Sequence, residues 1–180
     1  MKVDRSDIEL IEAIKAGDPR AFETLYHRYR DWVHRLAWRF TGDEDAALDV
    51  LQETFAYLVR KFPDFTLTAR MTTFLYPVVK HLSLALKEKS RRLVLTEEIL
   101  DFMPAPPAER QDETRAELAQ VLTSLPPAQR EVVLMRFVDG MTLEEIAAAL
   151  EIAAGTVKSR LYRALEQLRH DRRTRRYFLE

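Results

Sequence analysis

Apolar residues recur every three or four positions along most of this chain, the spacing that gathers side chains on one face of an α-helix. After Asp18-Pro19, the residues Phe22, Leu25, Tyr29, Trp32, Val33, Leu36 and Phe40 form one stripe, which predicts a long helix running to about Phe40. Ahead of it, Ser6-Asp7-Ile8-Glu9 has the pattern of a capping box, in which a hydroxyl and a glutamate each bind the other's backbone N–H. It predicts a short helix carrying Ile8, Ile11 and Ile14 and ending at Gly17. Thr41-Gly42-Asp43 breaks the long helix and starts another, Asp43 to Lys61, with Leu48, Leu51, Phe55, Leu58 and Phe62 as its expected core face. Pro63 to Arg70 reads as a loop. A further helix is expected from about Thr72 to Lys89, with Phe74, Leu75, Val78, Val79, Leu82 and Leu86 apolar. Pro77 inside it removes one backbone donor, which predicts a kink or a late helix start. Trp38 falls off the stripe of its own helix and fits packing at a helix end better than a partner surface.

From Leu93 to about Glu113 the periodicity fades. Pro104, Pro106 and Pro107, with Glu97, Glu98, Asp101, Glu109, Asp112 and Glu113, mark an acidic linker with room for a short helix around Glu97 to Phe102. Helical spacing then returns. Pro126-Pro127 opens a helix carrying Val132, Val133, Met135, Arg136 and Phe137 towards Gly140, the expected C-terminal cap. Thr142-Leu143-Glu144-Glu145 is a second capping box, opening a helix over Leu143 to Leu150. Glu151-Ile152-Ala153 makes a short turn into a helix over Thr156 to Arg169, whose apolar stripe is Val157, Leu161, Leu165 and Leu168. Helix, capped helix, turn and basic helix in this order are a helix-turn-helix. On the last helix Thr156, Ser159 and Arg163 lie opposite the stripe, flanked by Lys158 and Arg160. Short polar groups and an arginine suit base edges, and flanking cations suit phosphates. Taken alone, such a helix is as well explained by solvation; the preceding elements tip the balance.

Charge sharpens this picture. The net charge is −1, so the chain is no uniform polyanion coater. Cations instead gather at the C-terminal end, in Lys158, Arg160, Arg163, Arg169, Arg172, Arg173, Arg175 and Arg176, opposed there by Glu166 and Asp171. Local charge, more than the total, governs association with a polyanion. A second basic strip, Lys80, Lys87, Lys89, Arg91 and Arg92, follows the Thr72 helix, and Asp45, Asp49, Gln52, Glu53 and Arg60 form a polar ridge on the Asp43 helix. Ridges of this kind are ordinarily just solvated. There is no cysteine, and His27, His34, His81 and His170 show no ligand spacing, so no metal and no cofactor are expected. No nucleophile set or phosphate-cradling glycine loop suggests an enzyme. The absence of a signal-peptide pattern or a bilayer-length apolar run sets a cytoplasmic expectation, without membrane insertion. With only four glycines and no β-branched alternation, the expected fold is all-α.

Three stretches, in this order, carry a family resemblance: DVLQETF (Asp49 to Phe55), TTFLYPVVKHL (Thr72 to Leu82) and LPPAQREVVLMRFVDGMTLEEIAAALEIAAGTVKSRLYRAL (Leu125 to Leu165). Together they resemble the extracytoplasmic-function (ECF) sigma factors of bacterial RNA polymerase, the smallest members of the sigma-70 family. The resemblance implies an N-terminal helical bundle (1–92), a flexible acidic linker (93–113) and a C-terminal helix-turn-helix domain (114–180). It implies docking of Asp49, Gln52 and Glu53 on the β′ clamp helices of core polymerase, with the β flap as a further contact. It implies contacts to the −10 element from Phe65, Arg70, Thr73, Phe74, Lys80 and His81. It places Thr156, Lys158, Ser159, Arg160 and Arg163 on the −35 element and makes an anti-sigma factor an expected partner. The chain departs from the family where Phe74, His81 and Ala85 stand in place of the common Trp, Asn and Asp, and Pro77 in place of a basic or polar residue. Glu151 and Ala153 replace the usual Gly and Ser of the turn, and Leu48 stands where Glu is common. The rival readings are a response-regulator-like helix-turn-helix regulator acting as a dimer without polymerase binding, and a DNA-targeted enzyme such as a recombinase.

Overall fold

The computed structural model of the chain describes residues 5–94, with side chains through residue 88, and residues 121–171. The chain divides into two compact units, Met1–Met103 and Pro104–Glu180. Every described regular element is helical. The linker expected over 93–113, the short helix around Glu97 to Phe102 and the cationic tail Arg172 to Arg176 lie outside the described residues, apart from residues 93 and 94.

The first unit contains α1 (Asp7–Lys15), α2 (Pro19–Thr41), α3 (Glu44–Lys61), a 3-10 turn (Phe62–Asp64) and α4 (Met71–Val94). The capping chemistry expected from the sequence is in place. Ser6 Oγ accepts from the Glu9 N–H at 3.3 Å, and Glu9 Oε2 accepts from the Ser6 N–H at 2.7 Å. Asp18 caps α2 through the Arg20 N–H at 3.0 Å, and Asp43 caps α3 through the Ala46 N–H at 2.8 Å. Gly42 closes α2 at φ 73°, a left-handed conformation that a side chain adopts only with strain. Helices α2, α3 and α4 pack on one another and α1 lies on α2. Leu25, Val33, Leu36, Leu58, Met71, Leu75 and Tyr76 fill the interior. Phe22 sets its ring edge-on to both Phe55 and Phe62, at 6.4 and 6.3 Å between centroids.

Two expectations need correction here. Leu48 does not belong to the core face of α3; it is 42% exposed. The buried set is Ala47, Val50, Leu51, Thr54, Phe55 and Leu58, which is rotated about a quarter turn from Leu48 because Ala47 takes the inner position. Nor does α4 start late at its proline. The helix begins at Met71 and carries Pro77 in its interior, with the ring on the exposed side.

In the second unit residues 121–124 are helical and precede α5 (Pro127–Phe137), α6 (Leu143–Leu150) and α7 (Ala154–His170). Val121, Leu125, Val133, Ala164 and Leu168 form a buried cluster, with Leu122, Leu161 and Leu165 packed against it. Arg130 reaches back from α5 to the carbonyls that end the 121–124 turn, through Nε to Leu122 at 2.8 Å and Nη2 to Leu125 at 3.0 Å. A cation at helix-end carbonyls is stabilising both as donor and as charge. Gly140 is not the cap of α5, contrary to expectation. The helix ends at Phe137 with Val138 as its C-cap, and Gly140, at φ 67°, turns the chain two residues later. That turn returns the Met141 N–H to the Met135 carbonyl at 3.0 Å.

Candidate nucleic-acid interface

Helix α6 opens with the second capping box: Thr142 Oγ1 accepts from the Glu145 N–H at 3.2 Å and Glu145 Oε2 from the Thr142 N–H at 2.8 Å. It closes on Glu151, held left-handed at φ 54°, the one non-glycine residue with positive φ among the described residues. The Ile152 N–H then returns to the Ala147 carbonyl at 3.0 Å, which completes the tight turn. Ala153 precedes α7 and gives its first turn no side-chain bond. Only backbone closes it, with the Thr156 N–H 2.8 Å from the Ala153 carbonyl.

Val157, Ala164 and Leu168 bury one side of α7. Lys158, Ser159 and Arg163 stand exposed, and Thr156 and Arg160 are half-buried at the margin. Ser159 Oγ donates to the Thr156 carbonyl at 3.0 Å. Lys158, Arg160 and Arg163 make no hydrogen bond or ion pair among the described residues. The same face presents Tyr162, 67% exposed and one turn from Ser159. Sequence reasoning passed over it, although its spacing of three from Ser159 marks it as a neighbour.

In the first unit, Asp49, Gln52 and Glu53 lie exposed along α3. With Leu82, Ala85 and Leu86 of α4 they line an open groove of about 540 Å³, polar on its α3 rim and apolar on its α4 wall. Glu53 is paired with Arg60 at 2.6 Å, while Asp49 and Gln52 have no partner among the described residues. The groove itself was missed, since it exists only once α3 and α4 are packed; the small residues Ala56 and Ala85 were its one local signal.

The loop after the 3-10 turn separates the remaining residues into two sets. Arg70 and His81 face solvent, and Phe74 and Lys80 are half-buried. Phe65 and Thr73, expected at the −10 element, are buried here rather than displayed at the surface. The Phe65 ring is 6% exposed, 4.5 Å from Phe74 and 6.3 Å from Phe62 between centroids. Phe74 in turn stacks on Tyr57 at 6.5 Å. An aromatic ring gains more from such a cluster than from display on a bare loop.

Residues 25–93 match the family model for sigma-70 region 2, and residues 115–168 match the one for sigma-70 region 4. RNA polymerase sigma-H factor of Pseudomonas aeruginosa is 30% identical over 182 residues, covering 93% of this chain and 94% of the relative. The ECF sigma factor SigM of Mycobacterium tuberculosis is 32% identical over 167 residues, covering 92% of this chain and 84% of the relative. The chain belongs to the ECF sigma factors of the sigma-70 family. As an ECF sigma factor it is a DNA-binding initiation factor that works with core RNA polymerase to start transcription at specific promoters. A regulator acting without polymerase gives no account of the region 2 match over residues 25–93. The fold of this sigma factor is shared with CnrH, solved with the cytosolic domain of CnrY (TM-score 0.65, 24% identity, 89% of this chain and 93% of that one). It is shared also with RpoE of Bartonella quintana, solved with the anti-sigma factor NepR (TM-score 0.65, 22% identity, 82% of this chain and 94% of that one). Among the described residues of this sigma factor no helix is long and apolar enough to cross a membrane.

Proposed function

We propose that this sigma factor divides promoter recognition between its two units, with α7 reading the −35 element and the end of the 65–70 loop with α4 handling the −10 element. Thr156, Ser159 and Arg163 meet base edges in the major groove, and Lys158 and Arg160 meet phosphates. The observation that carries this reading is the outer face of α7, where Lys158, Arg160 and Arg163 have no partner among the described residues, on the second helix of a helix-turn-helix. Unpaired cations on such a face are free to displace the counterions of DNA.

Asp49, Gln52 and Glu53 dock on the β′ clamp helices, using the α3–α4 groove as the apolar part of the same surface. The C-terminal unit takes the β flap. Arg70, Phe74, Lys80 and His81 face the −10 strand, with Phe65 and Thr73 as internal supports of the loop. Residues 93–113 connect the units, so polymerase holds two weak DNA contacts at a fixed separation and their effects add through effective concentration. The capture of RpoE with NepR supports an anti-sigma factor as a regulatory partner of this chain too.

Run-off transcription with core polymerase on genomic DNA, with mapping of start sites, tests the reading. Wild-type protein should select a set of promoters sharing two spaced elements, and Arg163→Ala should degrade the upstream one. Start sites with a shared downstream element only, unchanged by Arg163→Ala, would refute the role given to α7.

A further inference from the structure

Helix α1 lies outside both family matches, yet its start is held by an unusually dense polar network. Asp7 Oδ1 accepts from Arg28 Nη1 at 2.6 Å, and Asp7 Oδ2 accepts from the Tyr29 hydroxyl at 2.5 Å. Arg28 Nη2 donates to the Arg5 carbonyl at 2.7 Å, and Arg5 Nη1 donates to Asp18, the N-cap of α2, at 3.1 Å. The Arg28 and Asp7 side chains are largely shielded, which makes their pairing stronger than that of a surface ion pair. Asp7 thus ties α1 to both Arg28 and Tyr29 of α2.

The other end of α1 bears on the element from which the loop springs. Helix α1 touches the Phe62–Asp64 turn. Ile14 and Lys15 of α1, Pro19 and Phe22 of α2, and Phe62 and Pro63 of the turn line one cleft of about 610 Å³. Phe62 meets Phe65 edge-on and Phe65 lies tilted against Phe74, so the turn, the loop and the start of α4 form one chain of rings. Burial and the bond to Asp7 hold the Tyr29 hydroxyl protonated, against the weaker pull of the Arg28 charge.

We propose that Asp7 is a positioning residue for −10 recognition: its carboxylate fixes α1 on α2, and α1 in turn seats the Phe62–Asp64 turn from which the loop springs. This inference rests on the assignment of the 65–70 loop to the −10 element. It gives α1 a task in promoter specificity without any DNA contact of its own.

The test uses the full chain with core polymerase. Open-complex formation is measured on a cognate promoter and on single-base variants of its −10 and −35 elements, beside the thermal midpoint of each protein. Asp7→Ala should reduce discrimination among −10 variants about fivefold to tenfold, as for coupled positioning networks, and leave discrimination at −35 unchanged. Asp7→Glu should restore part of the −10 discrimination, and Tyr29→Phe, which removes one hydroxyl only, should show a smaller loss of the same kind. Should Asp7→Ala fail to fold, Tyr29→Phe carries the test. A lowered thermal midpoint with −10 discrimination intact, or equal losses at both elements, would overturn the proposal. Arg70→Ala separates the two levels. If it loses −10 discrimination while the Asp7 and Tyr29 variants retain it, only the role of Asp7 fails. If Arg70→Ala and the Asp7 variants all retain it, the assignment of the loop to −10 fails as well.

Discussion

Asp18 and Asp43 each bind the first turn of the helix they precede in the N-terminal unit, whereas α7, which presents Ser159 and Arg163, opens at Ala153 with no side-chain bond. The residue that closes the preceding helix differs in the same direction. Gly42 takes its left-handed φ without strain, while Glu151 takes one at 54° with a side chain attached. The bundle proposed to grip polymerase is therefore locally well terminated, and the helix proposed to read the −35 element starts from a strained, uncapped turn. Its position depends on packing, through Val157, Ala164 and Leu168, more than on its own ends.

Perturbing the core should give the largest effect in this comparison. Leu58→Ala should destabilise the N-terminal unit by about 2–5 kcal/mol, because a fully buried leucine leaves a cavity in a close-packed interior. Leu48→Ala, on the same helix but exposed, should cost less than about 0.5 kcal/mol. Denaturant unfolding of the two variants checks both. Arg163→Ala should come next, removing about 1–3 kcal/mol of discrimination at one −35 position. Lys158→Ala should instead weaken all sequences alike and reduce the slope of affinity against salt by about one. Competition binding at several salt concentrations separates these two. Ala153→Ser should stabilise the C-terminal unit by about 1 kcal/mol through the missing cap. Glu151→Gly should add about 0.5–1 kcal/mol by relieving the left-handed turn. Neither should alter base preference, and a change in preference would mean that the strained turn shapes the reading face.

The smallest effect concerns acid. The backbone N–H of Ser6, with its hydroxyl, holds the Glu9 carboxyl below its ordinary 4.5. Bonds from Arg5 and from the Arg20 N–H hold Asp18 below its ordinary 3.8. Depressed values mean that the folded form favours the ionised groups. Their contribution is complete above the ordinary values and is lost as pH falls through the lower folded ones. Hydrogen-exchange protection in α1, relative to the intrinsic rate at each pH, should therefore fall on acidification before protection in α3 does. Simultaneous loosening would show that α1 has no weaker attachment.

The sequence read well wherever local chemistry decides. Helix α6 was placed to the residue, since Thr142 and Glu145 fix its start and apolar spacing fixes its length. Asp18-Pro19 likewise placed the start of α2. The misreadings were tertiary. Leu48 looked like core because a leucine at helical spacing from Leu51 scores as such, whereas the packed interface accepted Ala47. Ala164 went unnoticed at the centre of the α7 interface for the converse reason. Phe65 sits in a loop sequence that gives no hint of whether a ring faces in or out, and only its packing against Phe74 decides the matter. The α3–α4 groove needs two helices at once, so no single stretch could announce it.

Equilibrium binding of the full chain to core polymerase at low salt, compared with −35 discrimination in the same variants, tests the division of surfaces most directly. The account predicts that Asp49→Ala with Gln52→Ala weakens core binding while discrimination per bound complex is preserved, and that Arg163→Ala does the reverse. Core binding unaffected by the α3 variants, or weakened equally by Arg163→Ala, would contradict it.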